Sequence, residues 1–135
     1  METTPYLSFN GNCEEALAFY GQVLGAQTTF LLRYKEAPEM PGPPESAEKI
    51  MHARFEIDGA TLMASDAPPQ FYTKPGGITI SIGLKDTVRA EEIFTALAAG
   101  GDVQMPLQKT FWAAAFGMLR DKFGIPWMIN CEAQT

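Results

Sequence analysis

The sequence predicts an α+β fold made from two copies of a βαβββ module, and three observations point to it. Residues 4–67 and 77–133 each read as a short strand, an amphipathic helix closed by glycine, and three further strands. The last hairpins of the two halves, His52–Ala67 and Gly117–Glu132, align without a gap on Gly59 and Gly124, which sets Met63 over Met128. Between the halves, residues 68–76 carry Pro68, Pro69, Pro75 and Gly76, the punctuation of a linker. Identity between the halves is low, so the repeat rests on pattern. Two copies of one such unit suggest a pseudo-symmetric sheet that curls around a cleft, and clefts bind things. The 135 residues fit one domain, 1–135, large enough to bury a core.

In the first module Tyr6–Phe9 is a strand, and Asn10-Gly11-Asn12 is a turn whose asparagine can cap a helix. Cys13, Ala16, Leu17, Tyr20, Val23 and Leu24 recur at helical spacing, with Glu14 and Glu15 in the first turn, where the helix dipole favours negative charge. Gly25 stops the helix, and β-rich Thr28–Tyr34 is the second strand. Glu36–Ser46 holds four prolines, cannot enter a central strand, and reads as a loop with the makings of a lid. Ile50–Ile57 alternates, and Asp58-Gly59 turns it into Thr61–Ser65.

The second module opens with Ile78, Ile80 and Ile82 alternating against Thr79, Ser81 and Gly83. Asp86 or Thr87 caps a helix whose apolar stripe is Ala90, Ile93, Phe94 and Leu97, ended by Gly100-Gly101. Met105–Thr110, Phe116–Asp121 and Trp127–Cys131 are the remaining strands, with Phe123-Gly124 at the hairpin.

Composition excludes several partners. A net charge of −6 argues against binding a nucleic-acid backbone or an anionic membrane. No apolar run approaches a membrane span, and the first residues lack the pattern of a secretory signal, which points to a cytoplasmic protein. Cys13 and Cys131 are too few for a disulfide framework and read as free, buried thiols.

The run Tyr6-Leu-Ser-Phe-Asn-Gly-Asn-Cys-Glu-Glu-Ala-Leu-Ala-Phe-Tyr20, followed by Val23-Leu24-Gly25, resembles the first module of the glyoxalase/bleomycin-resistance, or vicinal oxygen chelate, superfamily. His52 before Asp58-Gly59, Ser65-Asp66, Thr110-Phe-Trp112, Phe116-Gly117 and Asp121-Lys-Phe-Gly-Ile-Pro-Trp127 are similar to its PhnB-like branch. The resemblance covers essentially the whole chain. It implies a cupped eight-stranded mixed sheet with helices on the outer face, a pocket on the concave face, and a homodimer.

Period-two alternation then sorts the strands. Met51, Ala53, Phe55 and Ile57 face the helix, while His52, Arg54 and Glu56 face the cup. Leu7, Phe9 and the isoleucines of strand 5 are buried, leaving Tyr6, Ser8, Thr79 and Ser81 toward the cup. Metal-dependent relatives carry His or Glu at four cup positions, which fall here on Thr4 or Pro5, Met63, Gly77 and Met128. None of these offers the imidazole or carboxylate that a borderline or hard divalent cation wants, so no metal and no cofactor is expected. A ubiquinone-pathway methyltransferase label is common in the branch, yet no strand here leads through a glycine-rich turn into the helix of a Rossmann unit.

The expected function is binding of a small organic molecule in the cup. Tyr6, Ser8, Arg54, Glu56, Met63, Thr79, Ser81, Phe111, Trp112 and Met128 are the ligand contacts. Whether the chain is an enzyme stays open. As the one histidine, His52 is the candidate acid or base for a lyase, isomerase or dioxygenase-like reaction. Resemblance to drug-sequestering relatives implies another alternative, a dimer that traps an antibiotic without chemistry. Bland roles compete for several of these residues. Arg54 and Glu56 could form an ion pair, the aromatics before strand 7 could pack against a neighbour, and Asp66 and Asp121 could cap turns.

Overall fold

Hydrophobic alternation and helical spacing resolve into two layers in each of two compact units, Met1–Thr73 and Lys74–Thr135. The computed structural model describes residues 1–37 and 44–132.

In the first unit β1 (Tyr6–Phe9), α1 (Cys13–Leu24), β2 (Gln27–Arg33), β3 (Ile50–Ile57) and β4 (Ala60–Asp66) follow one another. The sheet order is β1-β4-β3-β2, with β1 parallel to β4 and the other pairs antiparallel. In the second unit β5 (Ile80–Leu84), α2 (Thr87–Ala98), β6 (Asp102–Gln108), β7 (Ala113–Arg120) and β8 (Pro126–Glu132) repeat the plan in the order β5-β8-β7-β6. The α+β class and the doubled βαβββ module are both present, as two four-stranded mixed sheets.

Each helix covers one face of its own sheet. Ala16, Leu17, Tyr20 and Leu24 of α1 are buried with Ala53, Phe55, Leu62 and Ala64, and the Tyr20 and Phe55 rings stack with centroids 6.1 Å apart. Ala90, Ile93, Phe94 and Leu97 of α2 are buried with Leu119, Trp127, Ile129 and Cys131. Gly117 of β7 lies beneath Phe94, where a Cβ would come within 2.6 Å of Cε2. Asp86 caps α2 by accepting from the Val88 and Arg89 N–H groups. Asp58 and Gly59 both take positive φ, the geometry of a tight hairpin turn.

Several expectations are corrected. The gap-free alignment of the two hairpins fails across the turn. Ile57 pairs with Ala60, whereas Arg120 pairs with Pro126, a turn that leaves five residues, 121–125, between the strands. Met63 and Met128 keep equivalent places, but the partner of Met63 is Arg54 and that of Met128 is Met118, so β7 is offset by one residue. On β3, Ile50 is buried and Met51 only half-buried, because a register shift opposite Leu32 and Arg33 inverts the alternation there. Strand β5 begins at Ile80, leaving Ile78 79% exposed and Thr79 outside the strand. Strand β6 begins at Asp102 and carries Pro106 on a sheet edge. Strand β7 begins at Ala113, so Phe116 lies within it. Short 3-10 turns, Tyr34–Glu36 and Pro44–Ser46, lie within the predicted 36–46 loop and its approach, and residues 38–43 fall outside the described part.

Candidate functional site

With Ala53, Phe55, Leu62 and Ala64 committed to α1, the alternate residues of the first sheet reach its other face. Strand register lines up Phe30, Arg54, Met63 and Tyr6 in one row across β2, β3, β4 and β1. His52 and Glu56 flank Arg54 along β3, and Ser8 follows Tyr6 on β1 beside Ser65. Six predicted residues are therefore brought onto one surface: Tyr6, Ser8, His52, Arg54, Glu56 and Met63.

His52 sits between two aromatic rings. The Tyr6 ring stacks on the imidazole at 5.6 Å with an interplanar angle of 24°, and the tilted Phe30 ring lies at 5.8 Å. The Tyr6 hydroxyl is 3.0 Å from Nδ1. With that hydroxyl donating, the neutral ring carries its proton on Nε2. Arg54 and Glu56 do not form the ion pair anticipated from their spacing. The guanidinium instead places Nη2 3.9 Å from the Met63 sulfur.

The second unit holds the rest. Ser81 and Met118 register on either side of Met128, and Asn130 lies between Gly83 and Phe116. Asn130 Oδ1 is buried without a hydrogen-bond partner among the described residues. Trp112 packs edge-on against Phe111 and Phe116, at 4.8 and 5.4 Å, yet Phe111 is 96% and Trp112 50% exposed. Thr79 precedes β5 and is half-buried. Arg120 hydrogen-bonds the Pro75 carbonyl at 2.8 Å, which fastens the start of the unit to the β7–β8 turn.

Phe30 and Asn130 were not among the sequence candidates. Parity from Met128 could have found Asn130. A register shift between Thr28 and Phe30 hides the facing of Phe30.

Each unit has a buried carboxylate that ties its own elements to one another. Asp66 accepts from the Cys13 N–H at the start of α1 and from the Ile50 N–H at the start of β3, both at 2.9 Å. The expected cap residue, Asn12, makes no side-chain cap bond. Asp121 accepts from the Phe123 and Ile125 N–H groups and from the Trp127 indole N–H. Burial, reinforced by Asp66 and Glu14, pushes the Cys13 thiol up to about 12, and burial also raises Cys131. Both thiols are free and buried, far from thiolate chemistry.

A cavity of about 370 Å³ opens where β1, β4 and the start of α1 meet, with Asn10, Tyr34, Lys49, Asp66 and Pro68 in its wall. Its strongest polar groups serve the backbone. Tyr34 O–H donates to the Asp66 carbonyl at 2.8 Å, and Lys49 Nζ donates to the Gly11 carbonyl at 2.7 Å. Burial and the nearby Asp66 raise the Tyr34 pKa. None of the predicted site residues lines this cavity.

The metal of the relatives that the sequence resembles does not fit the donors present. The strand-1 residue in register with Met63 is Tyr6, and its counterpart beside Met128 is Ser81. Two thioethers, a phenol and an alcohol are poor ligands for a borderline or hard divalent cation. Among the described residues no three His, Cys, Asp or Glu side chains gather to hold an ion.

Residues 1–130 match the family described as 3-demethylubiquinone-9 3-methyltransferase. Protein YjdN of Escherichia coli (strain K12) is 38% identical, covering 99% of this chain and 97% of its own. The structure of a PhnB protein from Bacillus cereus, titled a putative 3-demethylubiquinone-9 3-methyltransferase, has a TM-score of 0.84 at 26% identity, over 97% of this chain and 99% of the other. A glyoxylase/bleomycin resistance protein/dioxygenase domain from Frankia sp. EAN1pec shares the fold alone, with a TM-score of 0.68 at 14% identity over 98% of both chains. The doubled module, its sheet order and these matches agree: the chain has the glyoxalase/bleomycin-resistance fold and belongs to the PhnB-like 3-demethylubiquinone-9 3-methyltransferase family.

Proposed function

We propose that the chain binds a small organic molecule on the open sheet face of the first unit, without a metal ion. The observation that carries this reading is the Tyr6–His52–Phe30 aromatic cluster beside Arg54, on a face that α1 does not cover. Flat rings supply area for stacking, and Ser8, His52, Arg54 and Glu56 supply the few polar groups that orient a ligand. Within the second unit, Thr79, Ser81, Phe111, Trp112 and Met128 are proposed as contacts on that unit's own surface, and the protein as homodimeric and cytoplasmic.

A thermal-shift screen of small organic molecules tests it. Hits should raise the melting temperature of the wild type and lose their effect in the Arg54→Ala variant. Equal shifts in both proteins would remove that residue from the site. Elemental analysis of the purified protein should find far less than one divalent ion per chain, and a stoichiometric ion would overturn the metal-free part.

The Tyr6–His52 hydrogen bond favours a second reading, in which His52 transfers a proton during turnover. Such a bond orients an imidazole and fixes its tautomer, as a general acid or base requires. Unchanged turnover of a discovered substrate by His52→Gln would end this reading.

A further inference from the structure

Resting on the open-face site proposed above, we infer that its ligand is an anion, a planar aromatic or conjugated carboxylate whose acid group sits on Arg54. The four arginines of the chain carry the argument. Arg33 pairs with Glu14 and the Glu48 carbonyl, Arg89 with Glu92, and Arg120 with the Pro75 and Gly124 carbonyls. Arg54 alone has no oxygen partner for its guanidinium among the described residues, only the Met63 sulfur. A guanidinium offers a planar fork of donors that matches a carboxylate, and a thioether satisfies little of it. Phe30 and Met63 stand on either side of it in the sheet row, so a bound acid would be flanked by apolar groups that strengthen the bond.

The neighbours along β3 orient the ligand. His52 lies two residues one way, a step of about 7 Å, and it brings the Tyr6 and Phe30 rings with it. Glu56 lies the same distance the other way and repels an anion. The acid group therefore binds at Arg54, and the flat body runs toward the imidazole, whose Nε2 has no partner among the described residues. Unit 2 offers no such place, because the register equivalents of Arg54 and Tyr6 are Met118 and Ser81.

The test is an NMR titration of the full chain with three probes of one shape: cinnamate, cinnamamide and cinnamylamine. Cinnamate should perturb the amides around Tyr6, His52 and Arg54 and bind at least about tenfold more tightly than the other two, the usual weight of one charge-assisted pair. Arg54→Gln should abolish that preference, whereas Glu56→Gln should tighten cinnamate by about threefold. Arg54→Lys should restore part of the preference. If cinnamamide and cinnamate bind the face equally, or the amine binds best, the anion assignment fails while the small-molecule site stands. Perturbation of this face by none of the three overturns both.

Discussion

Strand for strand, the two units place different chemistry on the sheet face that each helix leaves uncovered. Tyr6 answers to Ser81, His52 to Phe116, Arg54 to Met118 and Phe30 to Met105, while Met63 and Met128 hold the same place. At these paired positions the first unit carries tyrosine, histidine and arginine, whereas the second carries three methionines. The helix-covered faces stay alike in kind, with Phe55 and Leu119, or Leu62 and Trp127, filling matching positions. Cores are constrained by packing density, so divergence collects on the face with no helix to fit. Even the open-face arginines divide. Arg120 ties down backbone, and Arg54 is left to meet something else.

The sharpest way to break this comparison is at the helix ends. Gly25 and Gly100 both take positive φ, but Ala26 follows the first and Gly101 the second. A Cβ on Gly101 would stand 2.1 Å from the Arg120 carbonyl oxygen, backbone that cannot swing aside. Gly101→Ala should cost about 3 kcal/mol, at the upper end for overpacking, and Ala26→Gly no more than about 1 kcal/mol, both read by chemical denaturation. Similar losses would show the two helix ends to be equivalent after all.

Next come the buried carboxylates. Asp66→Ala and Asp121→Ala each strand two backbone N–H groups and should cost about 2–4 kcal/mol. Only Asp121→Ala also frees the Trp127 indole, so only it should shift the emission of that buried ring. Smaller again is the arginine pair. Arg120→Gln should cost about 1–2 kcal/mol through its lost carbonyl bond, and Arg54→Gln under about 0.5 kcal/mol, as for a surface site. A larger loss at Arg54 would give it a structural role and weaken its assignment to a ligand.

The smallest effect belongs to the ion pairs of the first unit, Arg33 with Glu14 and Lys35 with Glu48. Hydrogen bonds from Arg33 and Lys35 hold the Glu14 and Glu48 carboxyls below their ordinary value near 4.5. Groups depressed in the folded state stabilise it above that ordinary value and lose the contribution as pH falls through the folded one. The melting-temperature gap between wild type and Glu14→Gln should therefore stay flat from about pH 8 to 6 and close on acidification below about 4.5. Both carboxylates are largely exposed, so solvent screens them and the gap should be small.

Element order was legible in the sequence because Gly25, Asp58-Gly59, Asp86 and Gly100-Gly101 punctuate helical and alternating stretches with local chemistry. Local chemistry also placed His52, Arg54 and Glu56 on one face. Long-range effects were not legible. Asp66 caps a helix 53 residues away, a service no spacing rule announces. The longer β7–β8 turn shifts one strand against its counterpart while leaving both alternations intact, so aligning the glycines set Arg54 over the buried Leu119. Register shifts concealed Phe30 and inverted Ile50 and Met51 for the same reason: period two reports facing only where the pairing is regular.

Trp112 and Trp127, the two tryptophans of the chain, both belong to the second unit, one half in solvent and one fully enclosed. Intrinsic indole fluorescence therefore watches half of this protein and is blind to the half that carries His52. Unfolding followed by emission alone would miss a first unit that opened early, and far-ultraviolet ellipticity recorded alongside would expose it as a transition without an optical echo.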